Sequence, residues 1–146
     1  MSDATTDTFR GSCLCGAVSY EITGAPMRVA QCCCSDCQKL TGTGHATIAF
    51  FNEATCTIAG AVSSYEKVAD SGNTISRDFC PTCGSRLFGR GSGRPGMIGI
   101  NVGSMDGDCA DRLQPQAVVF AARRHPWDLL DEALPQFPAM PPIPKK

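Results

Sequence analysis

The run Cys80-Pro81-Thr82-Cys83-Gly84 has the sequence of a metal-binding knuckle. Two cysteines separated by two residues place both sulfurs on one side of a tight turn. Pro81 fixes its own φ angle and Gly84 can adopt a positive φ, so nearby backbone N–H groups can point at the thiolates. Two sulfurs are half of a tetrahedral zinc site, in which zinc–sulfur bonds are about 2.3 Å long. The rest of the chain must therefore supply another pair of ligands.

Two further cysteine groups offer that pair. They are Cys13-Leu14-Cys15-Gly16 and Cys32-Cys33-Cys34-Ser35-Asp36-Cys37. Pairing the central group with the late knuckle would give an ordinary zinc ribbon, whereas pairing the first group with it would leave the central group free for a separate site. Spacing alone does not choose between the two. Cys56 and Cys109 stand apart and are predicted to be packing residues, because free cysteine behaves as a small hydrophobe.

A short helix is predicted at the central group. Ser35 can cap its N-terminus, and Gln38 three residues later completes a capping box. Gly42 or Gly44 would end the helix after about two turns. Helix N-termini carry free N–H groups and partial positive charge, which favour thiolate over thiol.

Three of the central cysteines can converge on one metal ion. Cys32 and Cys34 alternate along an extended segment and so point the same way, and Cys37 lies in the first turn of the helix. Three protein ligands and an open position are typical of catalytic zinc, so these three are the candidate catalytic residues. The competing interpretation is a closed structural site whose fourth ligand is Cys33 or a distant group. The residues alone leave both open.

Composition limits the function classes. A chain of 146 residues with 42% hydrophobic and 18% charged side chains predicts one globular domain with a real core. Thirteen basic against 14 acidic side chains give a net charge of −1, which predicts binding to neither nucleic acid nor anionic membranes. The polar start of the chain has no signal-peptide pattern, so a reducing, cytoplasmic location is expected, where clustered thiols usually bind metal.

Short β-prone runs between glycine, serine and asparagine breaks predict a mainly β domain over residues 10–138, with residues 1–9 as a flexible tail. Residues 139–146 are predicted to be a Pro-rich tail, with Trp127 and Phe137 pinning the end of the domain onto a sheet. The predicted strands are Val18–Ile22, Arg28–Cys32, Ala46–Phe50, Thr55–Ile58, Ser64–Val68, Thr74–Phe79, Arg86–Phe88, Met97–Asn101 and Ala117–Ala121.

The order of the motifs resembles the glutathione-dependent formaldehyde-activating family, whose relatives include centromere protein V. The resemblance spans roughly Arg10 to Pro138, and several motifs in the right order make a specific match. The matching motifs are Gly11-Ser12-Cys13-Leu14-Cys15-Gly16-Ala17-Val18, Cys32-x-Cys34-Ser35-Asp36-Cys37-x-Lys39-Leu40-x-Gly42, Phe79-Cys80-Pro81-x-Cys83-Gly84-Ser85, and Pro126-Trp127-Asp128 followed by Leu134-Pro135-Gln136-Phe137.

The resemblance implies a β-tent fold of short antiparallel strands with one short helix after the central cysteines, and two zinc ions per chain. It implies that the late knuckle and the first pair share a structural zinc, and that the central three hold a catalytic zinc. The implied reaction joins glutathione and formaldehyde to S-hydroxymethylglutathione, classed as carbon–sulfur lyase chemistry. The implied structural ligands are Cys13, Cys15, Cys80 and Cys83, and the implied catalytic ligands are Cys32, Cys34 and Cys37.

Two positions depart from the family pattern. The family commonly has histidine between the first two central cysteines, where this chain has Cys33. It commonly has a His-Ile-Trp-like run on the late strand, where this chain has Val118-Val119-Phe120. If either histidine serves substrate binding or proton transfer, this chain lacks it.

The implied chemistry needs positive charge, because three thiolates around a zinc ion and a further substrate thiolate carry excess negative charge. The helix N-terminus, Lys39 and Arg124 are candidates for compensating it. Glutathione also carries two carboxylates, which arginine binds well. The Gly-rich run Gly89–Gly96, with Arg90 and Arg94, is interpreted either as an anion-binding loop or simply as a flexible hairpin connection.

Three functions remain open at this point. The first is a zinc enzyme acting on a thiol–aldehyde adduct, with a small thiol such as glutathione and an aldehyde as partners. The alternative is a non-catalytic, zinc-stabilised β protein-binding module. The third is a thiol redox enzyme using Cys33 or Cys109, which would need an exposed thiol near a resolving partner. The sequence leaves the oligomeric state and the proton-transfer residue open.

Overall fold

A computed structural model describes residues 7–141. Within that range the chain forms ten strands and one α-helix, α1 (Ser35–Thr41). None of the helices found there is long and apolar enough to cross a membrane. The strands are β1 (Thr8–Ser12), β2 (Ser19–Thr23), β3 (Arg28–Cys32), β4 (Ala46–Asn52), β5 (Cys56–Ala59), β6 (Ser63–Val68), β7 (Thr74–Phe79), β8 (Arg86–Gly91), β9 (Met97–Asn101) and β10 (Ala117–Val119).

The strands form two sheets over the described residues. The larger has seven strands in the order β10-β3-β4-β9-β8-β7-β6, and the smaller has three in the order β1-β2-β5. All neighbours are antiparallel except β10, which runs parallel to β3. The long connection from β9 lets the chain return to the far edge in the parallel direction. The mainly β fold and all nine predicted strands are confirmed, with small shifts at their ends.

Aromatic pairs join the two sheets face to face. Phe9 and Tyr20 of the small sheet pack against Phe51 and Phe88 of the large one, with ring centroids 5.4 Å and 5.2 Å apart respectively. The main hydrophobic core lies between the sheets and also contains buried cysteines of the first and third cysteine groups. The core therefore reaches the loops that carry those thiols.

The prediction of a flexible tail over residues 1–9 is wrong for Thr8 and Phe9. Strand β1 begins at Thr8 and pairs Phe9 with Ile22 of β2, and Phe9 is only 3% exposed. The charged Arg10 interrupts the apolar pattern there, so no strand is evident from the sequence. Residues 1–6 lie outside the described part of the chain.

The predicted capping box at α1 is also wrong. The N-cap is Cys34, whose Sγ accepts a hydrogen bond from the Cys37 N–H at 3.3 Å. Gln38 does not reach back to the cap; its side-chain amide donates to the Cys33 carbonyl at 2.8 Å and to the Arg123 carbonyl at 3.0 Å. A sulfur acceptor therefore replaces the expected serine hydroxyl. The helix ends at Gly42, as predicted, with a left-handed φ of 75°.

The end of the described chain docks through Phe137 rather than Trp127. Phe137 packs against the central cysteines, and its N–H donates to the Val118 carbonyl at 2.8 Å. Trp127 was expected on the sheet, but it is 63% exposed and stacks on the His125 ring, with centroids 5.0 Å apart. Of the predicted Pro-rich tail, residues 142–146 lie outside the described range.

The burial of Phe9 predicts a large energetic role for β1. Phe9→Ala should lower the free energy of unfolding by about 3–5 kcal/mol, because it leaves a cavity between the sheets. Val68→Ala, at a position 65% exposed, serves as the control and should change that free energy by less than about 0.5 kcal/mol. Denaturant unfolding of the metal-saturated protein measures both. Equal stability of Phe9→Ala and the wild type would show that β1 is not part of the core.

Candidate metal centres

The first cysteine cluster joins two distant hairpin loops. Its four sulfurs all lie within 4.8 Å of one another, an arrangement that could hold a metal ion. The Cys15 Sγ lies 3.7 Å from the Cys13 Sγ and 3.7 Å from the Cys80 Sγ. The structure thus groups the late knuckle with the first pair, a choice that spacing left open. The members are Cys13 and Cys15, between β1 and β2, and Cys80 and Cys83, between β7 and β8.

A glycine closes each of these two turns. The Gly16 N–H donates to the Cys13 carbonyl at 3.0 Å, and the Gly84 N–H donates to the Cys80 carbonyl at 2.8 Å. Both glycines have positive φ angles, 82° and 79°, which residues with a Cβ adopt only with strain. The sequence pattern therefore sets the direction of both cysteine pairs.

Ser85 links the two turns and supports the thiolate form. Its hydroxyl accepts from the Leu14 N–H at 2.9 Å and lies 3.2 Å from the Cys83 Sγ. Hydrogen bonds from the Ser85 hydroxyl and backbone N–H lower the pKa of the Cys83 thiol to about 5. Across the cluster, the Val18 N–H donates to the Cys13 Sγ at 3.2 Å. Thiolate is the form that binds metal, so these bonds favour metal binding.

The central cluster is built from one short stretch of chain. Cys32 ends β3, Cys34 caps α1 and Cys37 lies in its first turn, and the three sulfurs lie within 4.8 Å of one another. This cluster could also hold a metal ion. Cys32 and Cys37 are buried and Cys34 is half-buried. Hydrogen bonds from the Cys32 and Cys37 side chains lower the pKa of the Cys34 thiol, whereas the neighbouring thiols raise the pKa of Cys32, and the pKa of Cys37 is also raised, so Cys34 is the thiol that carries negative charge most easily.

A fourth protein ligand does not join the central cluster. Between residues 7 and 141, no other histidine, cysteine or carboxylate groups with its three sulfurs. Cys33 is fully buried outside the cluster, and burial raises the pKa of its thiol. His45 is also engaged elsewhere, because its Nδ1 lies 2.8 Å from the Asp128 carboxylate. The central cluster thus has three ligands where the first cluster has four.

Apolar side chains surround the central cluster. Ala46 and Val119 are buried against it, and Phe120 and Phe137 pack on it from the end of the chain. Phe120 has a φ of 54°, the only positive φ outside glycine in the described residues. Such a backbone costs about 1–3 kcal/mol and persists only where its surroundings hold it. Here the Ala121 N–H, donating to the Phe137 carbonyl at 2.8 Å, helps to hold it.

Two of the positive side chains expected near the site have structural partners. The Arg124 Nε donates to the Asp128 carbonyl at 3.0 Å. Arg90, from the Gly-rich run, is bound by Glu53 at 2.6 Å and by buried Asp78 at 2.5 Å. The start of that run, Gly89 to Gly91, belongs to β8, and Arg90 is already paired, so it does not serve as a free anion-binding group.

Sequence reasoning missed two arginines that act on the central cluster. Arg77 of β7 and Arg86 of β8 both interact electrostatically with Cys37. The Arg77 Nη2 also lies 3.8 Å from the Asp36 Oδ2, next to the start of α1. The only sequence signal was an arginine within each of two predicted strands that pair in a hairpin. Their approach to Cys37 depends on how that hairpin packs against α1.

The two isolated cysteines behave as packing residues. Cys109 is buried, and its Sγ accepts from the Arg10 N–H and from the Arg112 Nη2, both at 3.4 Å. Cys56 is half-buried against the main core. Since Cys33 and Cys109 are both buried, neither offers the exposed thiol that the redox hypothesis needs.

Fold and site together define a mainly β protein with two thiol clusters suited to metal ions. The sequence profile described as "Glutathione-dependent formaldehyde-activating enzyme" matches residues 8–123, and the chain belongs to this enzyme family. The chain is also similar to a Rhodobacter sphaeroides protein solved by crystallography as a structural-genomics target. The two are 25% identical with a TM-score of 0.54, over 67% of this chain and 88% of that chain. A comparison with curated proteins finds no match.

The two clusters should differ in their effect on folding. Cys37→Ser should remove one bound metal ion and leave the fold intact, whereas Cys80→Ser should prevent stable folding. The reason is that a structural zinc site couples about 10–16 kcal/mol of binding to folding, and Cys80 lies in the core between the sheets. Elemental analysis and circular dichroism measure the two effects. Cys56→Ser is the control and should keep both ions; unfolding of Cys37→Ser would contradict the division of roles.

Proposed function

We propose that this protein is a zinc enzyme of the carbon–sulfur lyase type, acting on thiol–aldehyde adducts. The proposed reaction joins glutathione and formaldehyde to S-hydroxymethylglutathione. Support comes from the family, whose description names glutathione and formaldehyde, and from the unequal ligand sets of the two clusters. The incomplete set at Cys32, Cys34 and Cys37 is the single observation that carries the proposal.

The first cluster fits a structural zinc ion. A tetrahedron with zinc–sulfur bonds of about 2.3 Å has edges of about 3.8 Å. The sulfur separations of 3.7 Å on either side of Cys15 agree with that value. Four thiols complete the coordination, so no position is left for a substrate. We assign this cluster to holding the two hairpin loops together.

The central cluster fits a catalytic zinc ion. Three thiol donors converge, and one of them, Cys34, readily carries negative charge. Zinc bound by three protein ligands would supply an open coordination position and would lower the pKa of a thiol placed there. Cys33 does not group with these three sulfurs, which argues against the closed site in which it would be the fourth ligand.

The proposed reaction is an addition without change of oxidation state. The thiol S–H adds across the aldehyde C=O: a sulfur–carbon bond forms, the carbon–oxygen π bond breaks, and the proton passes from sulfur to oxygen. The reverse reaction cleaves the sulfur–carbon bond. Holding the two small reactants together accounts for much of the acceleration, since effective molarities of held reactants reach about 10⁵ M or more.

The chain's own residues prepare this site in three ways. Cys32, Cys34 and Cys37 fix the metal position, and Phe120 and Phe137 keep water from one side of it. Positive charge from the neighbouring β7–β8 hairpin offsets the excess negative charge of three thiolates and a substrate thiolate. All ten cysteines are free, which fits the reducing cytoplasm as the proposed location.

Exchange spectroscopy on mixtures of formaldehyde and glutathione tests the proposal. The zinc-loaded protein should accelerate exchange between free and hydroxymethylated glutathione above the spontaneous rate. Cys37→Ser should lose this acceleration while keeping the structural metal, and Cys56→Ser should retain it. Absence of acceleration by the fully loaded wild type would overturn the proposed substrates. X-ray absorption showing four protein ligands at the central zinc would instead favour a protein-binding module.

A further inference from the structure

Arg86, the first residue of β8, has hydrogen-bond donors that the fold does not use. Its Nε and Nη1 atoms are buried and have no hydrogen-bond partner within residues 7–141. Every other buried side-chain nitrogen and oxygen atom in that range has one. Buried polar groups are normally paired, and buried charges especially so. The orphaned donors of Arg86 thus point to an acceptor from outside the chain.

The surroundings of Arg86 favour a negatively charged acceptor. Arg86 opposes Phe79 of β7, two residues from Arg77, so both guanidinium groups belong to one hairpin, and both interact electrostatically with Cys37. The Arg77 side chain is 12% exposed, and its nearest carboxylate, Asp36, is bound more closely by Lys67 at 2.8 Å. Apart from the thiols of the central cluster, the described chain therefore supplies little negative charge to the two arginines. This excess of positive charge favours an anionic ligand.

Space for a small molecule adjoins Arg86. It lines a cavity of about 510 Å³ together with Cys13 and Ser85, from the loops of the first cluster, and with Ser12, Leu14, Ser104 and Asp106. Pockets for small molecules typically measure about 300–1,000 Å³. Asp106, the carboxylate in this cavity, is already bound by the Ser12 hydroxyl at 2.8 Å and 3.0 Å. The cavity borders the first cluster, and Arg86 connects it to the hairpin that carries Arg77.

We propose that Arg86, assisted by Arg77, binds a carboxylate of the thiol substrate and thereby selects acidic thiols over neutral ones. A guanidinium presents a fixed fork of N–H donors that matches a carboxylate with two parallel hydrogen bonds. Anchoring the carboxylate beside Cys37 would bring the thiol of the same molecule toward the central cluster. The choice of glutathione rests on the proposed function, but the carboxylate subsite follows from the arginines.

The test compares glutathione with its diethyl ester, which keeps the thiol and masks both carboxylates. Calorimetric titration of the zinc-loaded wild type should show at least about a tenfold preference for the free acid, as expected for charge-assisted hydrogen bonds. Arg86→Gln should reduce this preference to near unity. Arg86→Lys should keep part of it, because it retains the charge without the fork.

Matched variants separate an effect specific to Arg86 from the general effect of removing an arginine. Arg10→Gln removes an exposed arginine that pairs with Glu21 on the small sheet, and it should keep the full preference. Arg77→Gln should lower the preference partly, which provides a second reading if Arg86→Gln does not fold. Circular dichroism and metal content establish the folding of each variant. The preference is a ratio within one protein, so a uniform loss of affinity leaves it unchanged.

The inference is overturned if the wild type shows no preference for the free acid, or if Arg86→Gln retains the preference. Its failure can be told apart from failure of the proposed function. If Arg86→Gln catalyses the reaction with an unchanged KM for glutathione, the proposed carboxylate subsite is wrong and the proposed reaction stands. If the preference for free glutathione over its diethyl ester depends on Arg86 but no catalysis is seen, the subsite is supported and the proposed reaction is wrong.

Discussion

The convergence of four sulfurs from two hairpin loops is the constraint on which the rest of the structure depends. Cys15 and Cys80 are 65 residues apart in the chain, yet their sulfurs lie 3.7 Å apart. Because one loop belongs to the small sheet and the other to the large sheet, this contact sets how the sheets meet. The knuckle also leads directly through Ser85 into β8, so it fixes where Arg86 begins that strand.

The central cluster has a different physical origin. Its three sulfurs come from six consecutive residues, where a strand end, a cap and a helical turn converge within one short stretch of chain. Long-range packing supplies its surroundings instead. The strained backbone of Phe120 and the docking of Phe137 belong to the last part of the described chain, and both cover the cluster. Local geometry thus builds the ligands, and tertiary contacts make the environment around them.

Arg90 and Arg86 differ in their hydrogen-bond partners, and this difference separates a role in stability from the proposed role in binding. Arg90 is bound by two carboxylates, one of them buried, and contributes to the large sheet. The Nε and Nη1 atoms of Arg86 are buried without a hydrogen-bond partner among the described residues, and each unsatisfied buried donor costs about 1–3 kcal/mol. Proteins retain destabilising features of this kind at functional sites, where ligand binding offsets the lost stability. This contrast explains why the Gly-rich run Gly89–Gly96 indicates the proposed binding site less well than Arg86 at the start of β8.

The sequence by itself determined the mainly β fold, nine of the ten described strands and the three cysteine groups, because turn residues and short spacings act over a few positions. Gly16, Gly84 and Gly42 each mark a turn or a helix end that local backbone sterics require. Only the tertiary structure decided the grouping of the first and third cysteines, the burial of Phe9 and the position of Arg86 beside Cys37. These features depend on which distant segments meet, and no local pattern encodes that meeting.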